Sequence, residues 1–321
     1  MKNRPLIVLV GPTGIGKTAF AIAFAEALRQ SGNVTCEVIS ADSRQIYQYM
    51  DIGTAKPEPE ELAAVKHHLV DIVSPQQTVT LAEFQNRAFR TIDDIHDRES
   101  LPLLVGGTGQ WVKAVVEGWG IPKVPPDPEL RQKLEVEAAR IGAEAFHTKL
   151  NEVDPVAASK IDYRNIRRVI RALEVFYKTG TPISTHQQKS PPPYQIQQVG
   201  LTMARDALYN RIDARIDRMM ERGLLQEVEA LLARGYGFNL PAMSGLGYRQ
   251  FAPYFQADIT LEEAIQNIKR DTRRFIRQQY NWFDLSDPSI TWFDVSSSFQ
   301  VDAITYLKES TENRNPNKYG T

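Results

Sequence analysis

Short apolar runs alternate along the chain with longer stretches in which apolar residues recur every three or four positions. Leu6–Val10, Cys36–Ser40, Leu69–Val73, Leu101–Val105, Gln197–Met203 and Ile290–Val295 read as strands, and near-continuous apolar runs suit a sheet covered on both faces. Ala19–Leu28, Glu60–His67, Leu81–Ile95, Gln110–Glu117, Ala204–Arg222, Glu227–Leu232 and Leu261–Trp282 read as the intervening helices. Repetition of strand then helix predicts an α/β core with an open parallel sheet. From Gly118 to about Pro193 the rhythm changes. Pro122, Pro125, Pro126 and Pro128 mark a linker, after which Glu129–Arg140, Ala143–Leu150, Pro155–Ile161 and Asn165–Lys178 read as amphipathic helices with no strand between them. A helical insertion over 121–194 is expected between core segments 1–120 and 195–300, with C-terminal helices in the second segment and a flexible tail over 309–321.

Composition changes this picture little. A chain of 321 residues, 42% hydrophobic and 24% charged, has the make-up of a globular protein with a sizeable core. No apolar run is long enough to span a bilayer and no signal-peptide pattern opens the chain, so a cytoplasmic protein without a membrane partner is expected. The single cysteine, Cys36, excludes an intramolecular disulfide and a cysteine-rich zinc module, and is expected to pack in a strand. A net charge of −1 says nothing about nucleic acid, but its distribution does. Basic residues gather in Arg164–Arg171, Arg205–Arg222 and Lys269–Arg277, and acidic ones in Asp51–Glu61 and Asp93–Glu99. Such asymmetry can give a neutral protein a basic face for phosphodiester backbones.

The strongest local signal lies between the first strand and the first helix. Gly11-Pro12-Thr13-Gly14-Ile15-Gly16-Lys17-Thr18 matches the P-loop pattern in the strand–turn–helix setting that the pattern requires. Glycines let successive backbone N–H groups converge on one anion, the helix adds the positive end of its dipole, Lys17 neutralises phosphate charge, and Thr18 offers a hydroxyl to Mg²⁺. A di- or triphosphate is the expected ligand. The second strand ends in Ala41-Asp42-Ser43-Arg44-Gln45, where ligands of open sheets sit. Asp42 there can accept a proton or hold Mg²⁺, or else cap the turn that follows.

A second glycine turn, Gly106-Gly107-Thr108-Gly109, makes Thr108 a candidate donor to the same anion. That strand end carries no carboxylate to hold Mg²⁺ for attack by water, which tells against simple nucleotide hydrolysis, although Asp71 is placed to substitute. His67 and His68 lack a third ligand at sensible spacing for a metal. Arg164, Arg167, Arg168 and Arg171 recur along one face of a helix whose Ile166, Val169, Ile170 and Leu173 turn inward. Arg211 and Arg215 are both placed to reach the phosphate site, with internal Asp–Arg pairing through Asp213 and Asp217 as the alternative. Lys269, Arg270, Arg273, Arg274 and Arg277 interleave with Phe275, Tyr280 and Trp282, as on a helix that contacts nucleic acid.

Taken in order, Gly11–Thr18, Ala41–Tyr47, Gly53-Thr54-Ala55-Lys56-Pro57, His67-His68-Leu69, Gly106–Gly109, Arg171-Ala172-Leu173-Glu174, Gly245-Leu246-Gly247-Tyr248, Ile268–Arg274 and Trp282-Phe283 resemble the motif set of the tRNA dimethylallyltransferases, also called tRNA isopentenyltransferases. The resemblance implies a P-loop NTPase-like fold and transfer of a dimethylallyl group from dimethylallyl diphosphate to N6 of adenosine 37 in tRNAs that read codons beginning with U. It implies that the P-loop holds a diphosphate leaving group rather than ATP, with Mg²⁺ as cofactor. By motif position, Asp42 corresponds to the acceptor for the adenine amino group and Thr108 to a diphosphate contact. Asp42, Ser43, Arg44, Gln45, Arg131, Arg167, Arg168, Val169, Ile170 and Arg171 fall in segments that meet the anticodon stem-loop. Arg215 joins Gly11, Pro12, Thr13, Gly14, Ile15, Gly16, Lys17 and Thr18 around the diphosphate, and a monomer of bacterial type is expected. Departures are modest: Gly14-Ile15 stands where Ala-Ser is usual and Gln110-Trp111 replaces Leu-Tyr. The rival readings are a P-loop small-molecule kinase, an enzyme prenylating free AMP or ATP, and a tRNA-binding protein without activity.

Overall fold

The computed structural model describes residues 4–32, 34–295 and 299–314. It divides into two compact units, one of residues 4–116 with 193–314 and the other of 117–192. In the first, β1 (Pro5–Val10), α1 (Lys17–Gly32), β2 (Cys36–Ser40), α2 (Pro59–Ala64), β3 (His67–His68), α3 (Leu81–Asp97), β4 (Leu101–Val105) and α4 (Gly109–Val116) precede the second unit. That unit holds α5 (Pro128–Ile141), α6 (Ala143–Val153), α7 (Pro155–Ala158), α8 (Ile166–Thr179) and α9 (Ile183–His186). The first resumes with β5 (Gln195–Thr202), α10 (Arg205–Glu221), α11 (Leu224–Ala233), α12 (Ala252–Phe255), α13 (Leu261–Trp282), β6 (Ile290–Asp294) and α14 (Phe299–Arg314).

The sheet is parallel throughout, in the order β3-β2-β4-β1-β5-β6. Leu6, Val8 and Val10 of central β1 are fully buried, as a strand covered on both faces must be. Register positions the chemistry. Leu9 pairs with Val105 and Val105 with Ser40, so three strands end in one row and their following turns open at one edge. Two bonds beyond the strands keep those turns level: Ala41 N–H donates to Val105 O and Gly106 N–H to Leu9 O. Gly200 within β5 has a packing reason, because a Cβ there would lie 2.4 Å from the Trp292 ring. Cys36 is buried in β2 as expected, and burial pushes its thiol up to about 12.

Several expectations need correction. His67 and His68 themselves form β3, while Leu69–Val73 is not a strand, because Leu69 and Asp71 take left-handed backbone angles that end the extended run. His68 Nε2 is bonded to Glu37 and His67 Nδ1 to Val65 O, and no group of metal-binding type occurs among the described residues. Asp71 does not reach the phosphate site; it is bonded to buried Lys56, which Asp51 also holds at 2.6 Å. The expected tail is helical as far as Arg314, and its remainder, 315–321, lies outside the described residues.

The helical unit has its own core, built on Leu134, Phe146, Leu150, Val169, Ile170 and Leu173. Val169 and Ile170 are 0% and 3% exposed, so their side chains are core groups rather than RNA contacts. Arg131 and Arg171 are likewise engaged. Fully buried Glu174 accepts Arg131 Nε and Nη2 at 2.8 Å each, Arg171 Nη1 at 2.6 Å and the Asp127 N–H at 2.8 Å. Burial alone would raise the Glu174 carboxyl, but these donors outweigh it and hold it below the ordinary range. Glu174→Gln leaves two guanidiniums without their counter-charge. Because both guanidiniums keep about a third of their surface in solvent, the loss is expected to be about 1–3 kcal/mol, read as faster amide hydrogen exchange across α5 and α8.

Candidate active site

The P-loop joins β1 to α1 through Gly11, Gly14 and Gly16, all at positive φ (142°, 77° and 103°), a geometry that side chains with a Cβ resist. Gly14 is also sterically committed, since a Cβ would meet Ile212 of α10 at 2.4 Å. Pro12 and Ile15 are buried, so they serve the loop through backbone and packing. The start of α1, at Lys17 and Thr18, presents amides that an intact helix cannot satisfy and an anion can.

Lys17 Nζ donates to Gly11 O and Pro12 O, 2.9 Å each, so the ammonium is folded back over the loop. Burial brings its pKa down to about 8; Asp42 opposes that shift and Arg215 adds to it. Arg215, at the centre of α10, is lowered chiefly by burial, with Asp42 again opposing. No carboxylate forms an ion pair with Lys17 or Arg215 among the described residues, although α10 carries Asp213 and Asp217. Those aspartates pair across to α13, with Arg273 and Lys269 respectively, instead of within α10. Two basic side chains of the expected RNA-contacting helix are therefore engaged in packing α13 against α10. Between Arg211 and Arg215, only Arg215 lines the cavity; the Arg211 guanidinium stands beside Gly16, 3.3 Å from where its Cβ would be.

Asp42 follows β2. Its Oδ1 accepts the Arg44 N–H at 2.8 Å, a turn-capping bond, and the residue also lines the cavity, where its other oxygen is placed for the proton-accepting role. Thr108 is bound to the same loop: its Oγ1 accepts the Ser43 N–H at 3.2 Å and donates to Ser43 Oγ at 3.4 Å. The Arg44 guanidinium donates to Pro241 O and Ala242 O, and Gln45 joins Ser40 Oγ to Ala55 O. Arg44 and Gln45 thus brace the loop that carries Asp42.

These parts surround one cavity of about 610 Å³, within the range usual for small-ligand sites. It is lined by the polar residues Thr13, Lys17, Asp42, Thr108 and Arg215, by Ile212, Ile216 and Met219, which share one face of α10 with Arg215, and by Leu224 and Leu246. Arg131, Arg167, Arg168 and Arg171 belong to the other unit; of these Arg167 and Arg168 are exposed.

Some supporting residues carry no local signal in the sequence. Glu227 accepts N–H groups of Asp51, Ile52 and Gly53 and the hydroxyl of fully buried Tyr248, which fixes the turn that brings Gly53 and Thr54 to the cavity wall. Burial, followed by the Glu227 charge, raises the Tyr248 hydroxyl well above its usual range and keeps it a donor. Gln279, 3% exposed near the end of α13, accepts the Thr13 N–H at 2.8 Å and donates to Gly107 O at 2.9 Å.

The site titrates through Lys17, and the sign is definite. A bound diphosphate favours the charged ammonium, so below pH 8 the group is already charged, whereas above it binding must take up a proton. Affinity for inorganic diphosphate is expected to fall by up to about tenfold per pH unit above the bend. A pH series of diphosphate titrations checks this, with Lys17→Met removing the bend.

A P-loop, a parallel sheet with its ligand edge at the strand ends and a cavity lined by both basic and apolar side chains define a phosphate-binding α/β enzyme of the P-loop class. The model of the family described as IPP transferase matches residues 45–285. The tRNA dimethylallyltransferase of Roseiflexus sp. (strain RS-1) is 50% identical over 305 residues, 95% of this chain and 98% of that one. The tRNA dimethylallyltransferase of Chloroflexus aurantiacus (strain ATCC 29366 / DSM 635 / J-10-fl) is 52% identical over 278 residues, 87% and 92% of the two chains. Among solved structures, the full-length tRNA isopentenylpyrophosphate transferase of Bacillus halodurans superimposes with a TM-score of 0.71 at 38% identity, covering 98% of this chain and 99% of that one. A eukaryotic dimethylallyltransferase acting on tRNA gives 0.79 at 26% identity, over 98% and 79%. The chain belongs to the IPP transferase family, the tRNA dimethylallyltransferases.

Proposed function

We propose that the protein transfers the dimethylallyl group of dimethylallyl diphosphate to N6 of adenosine 37 in tRNAs that read codons beginning with U. The observation that carries this reading is the composition of one cavity: Lys17 and Arg215, without acidic ion-pair partners among the described residues, with Asp42, Thr108 and the apolar Ile212, Ile216 and Met219. An isoprenoid diphosphate has these two halves, a charged head and an apolar tail. A kinase reading accounts for the phosphate seat but gives the apolar side chains no task.

In the reaction the adenine leaves the anticodon-loop stack, which is less costly than extraction from a duplex. N6 attacks C1 of the donor, the C1–O bond breaks with its electron pair leaving on diphosphate, and the N6 proton passes to Asp42. Alignment does much of the work because an exocyclic amine is a weak nucleophile. Lys17, Arg215, Thr108 and the amides at the start of α1 stabilise the charge that develops on the leaving oxygen. The Thr18 hydroxyl at the start of α1 would offer Mg²⁺ a hard oxygen beside those of the diphosphate. That ion would supply further neutralisation of the leaving group.

Exposed Arg167 and Arg168 on α8, which have no acidic ion-pair partner among the described residues, would hold the stem backbone. Parallel incubations with labelled dimethylallyl diphosphate and unmodified tRNA, AMP or ATP test the reading. Label is expected in tRNA alone. Label in AMP or ATP alone, or consumption of ATP with RNA unprenylated, would overturn it.

A further inference from the structure

A continuous chain of bonds runs from the P-loop to the loop of Asp42, and Gln279 is its link between turns. Its carbonyl oxygen accepts the Thr13 N–H and its amide donates to Gly107 O. Thr108 comes next along the chain and accepts the Ser43 N–H, and Asp42 Oδ1 then takes the Arg44 N–H. The neighbouring residues leave no slack. A Cβ on Gly107 would lie 2.3 Å from Gln279 Nε2, and one on Gly109 would lie 2.3 Å from the Trp282 side chain, one helical turn further along α13. Tyr280 hydroxyl meets Thr202 Oγ1 at the end of β5. The last turn of α13 therefore touches the carboxyl ends of strands that supply separate parts of the site.

From this geometry we infer that Gln279 is a positioning residue for prenyl transfer: it fixes the spacing between the P-loop and the turn that carries Thr108, and so between leaving group and proton acceptor. The inference rests on the proposed use of the P-loop for the donor diphosphate. Gln279 lines the cavity, but its amide oxygen and nitrogen are both committed to backbone groups of the two turns, so its action runs through the turns it joins. It also holds the Thr13 N–H away from the anion, leaving the amides at the start of α1 to grip it. Loss of the link lets the two turns drift, and displacement of reacting groups by about 1 Å lowers rates by about 100-fold.

Gln279→Met keeps the volume and removes both hydrogen bonds. In single turnover at saturating donor and tRNA, Q279M is expected to react about 10- to 100-fold more slowly than the unaltered protein, with affinity for inorganic diphosphate held within about threefold. An unchanged rate overturns the inference, and so does a fall in diphosphate affinity as large as the fall in rate, which would mark general collapse of the loop. Gln279→Glu gives a second arm if Q279M does not fold. A Cβ on Gly107 would be 3.5 Å from Lys17 Nζ and 2.3 Å from Gln279 Nε2, so a carboxylate at this point stands near that ammonium and competes with the anion. Q279E keeps an acceptor for the Thr13 N–H but loses the donor to Gly107 O, so with donor and tRNA both saturating it is expected to react at least about tenfold more slowly whatever its diphosphate affinity; a wild-type rate at saturation would refute the link. The unaltered protein run alongside separates the cases. If it leaves tRNA unprenylated the proposed function fails, whereas normal turnover with an indifferent Q279M sinks the positioning role alone.

Discussion

Asp42→Ala is expected to lower the rate of prenyl transfer by about 10²- to 10⁴-fold while tRNA affinity stays within a few-fold, because removal of a proton acceptor acts on the chemical step. Asp42→Asn sharpens the test. The asparagine oxygen can still accept the Arg44 N–H that Asp42 Oδ1 accepts at 2.8 Å, so the turn is preserved, yet the amide cannot take the N6 proton. Both variants should therefore be slow to a similar degree in single turnover. A fast Asp42→Asn with a slow Asp42→Ala would assign the carboxylate to loop geometry alone.

Arg215→Ala is expected to lower kcat/KM for the donor by about 10²- to 10³-fold, the usual effect of removing one preorganised donor to a developing negative charge. The guanidinium lines the cavity with no acidic ion-pair partner among the described residues, and burial already works against its charge. Such an arrangement raises the energy of the empty site and is relieved by an anion. Two unit charges about 4 Å apart at an effective dielectric of 20 interact by about 4 kcal/mol, ample for the proposed loss. Arg211→Ala, by contrast, should have a small effect on donor kinetics, since Arg211 is exposed and does not line the cavity. Steady-state kinetics of the two variants at saturating tRNA makes the comparison.

Much of the site was legible because its signals are local. Glycines at fixed spacing between a strand and a helix announce the P-loop at Gly11–Thr18, and the turn at Gly106–Gly109 follows a strand that is apolar from end to end. The parallel register then brings Asp42 and Thr108 to the same edge without further information. What the chain conceals is pairing over long separations. Gln279 lies 266 residues from its partner Thr13, and Glu227 lies about 175 from the turn it holds, so neither has neighbours in sequence that betray its task. Charge was the least readable property. Lys269, Arg273 and Arg171 read as RNA contacts by spacing and Arg131 by family resemblance, yet each is engaged by a carboxylate within its own unit. A sequence shows where a cation is; only the fold shows whether an anion already faces it. The histidine strand was missed for a related reason, since left-handed angles at Leu69 and Asp71, rather than residue type, decide where the extended chain stops.

The central claim is that one cavity aligns an isoprenoid diphosphate with an adenine amino group under Asp42. A crystal structure of the protein with an unreactive analogue of dimethylallyl diphosphate and an anticodon stem-loop RNA tests it most directly. The diphosphate is expected on Gly14–Thr18 with Arg215 beside it, the tail along Ile212 and Ile216, and the extruded adenine N6 within about 3 Å of Asp42. A diphosphate seated elsewhere, or an adenine that enters with N6 turned away from that carboxylate, would contradict it.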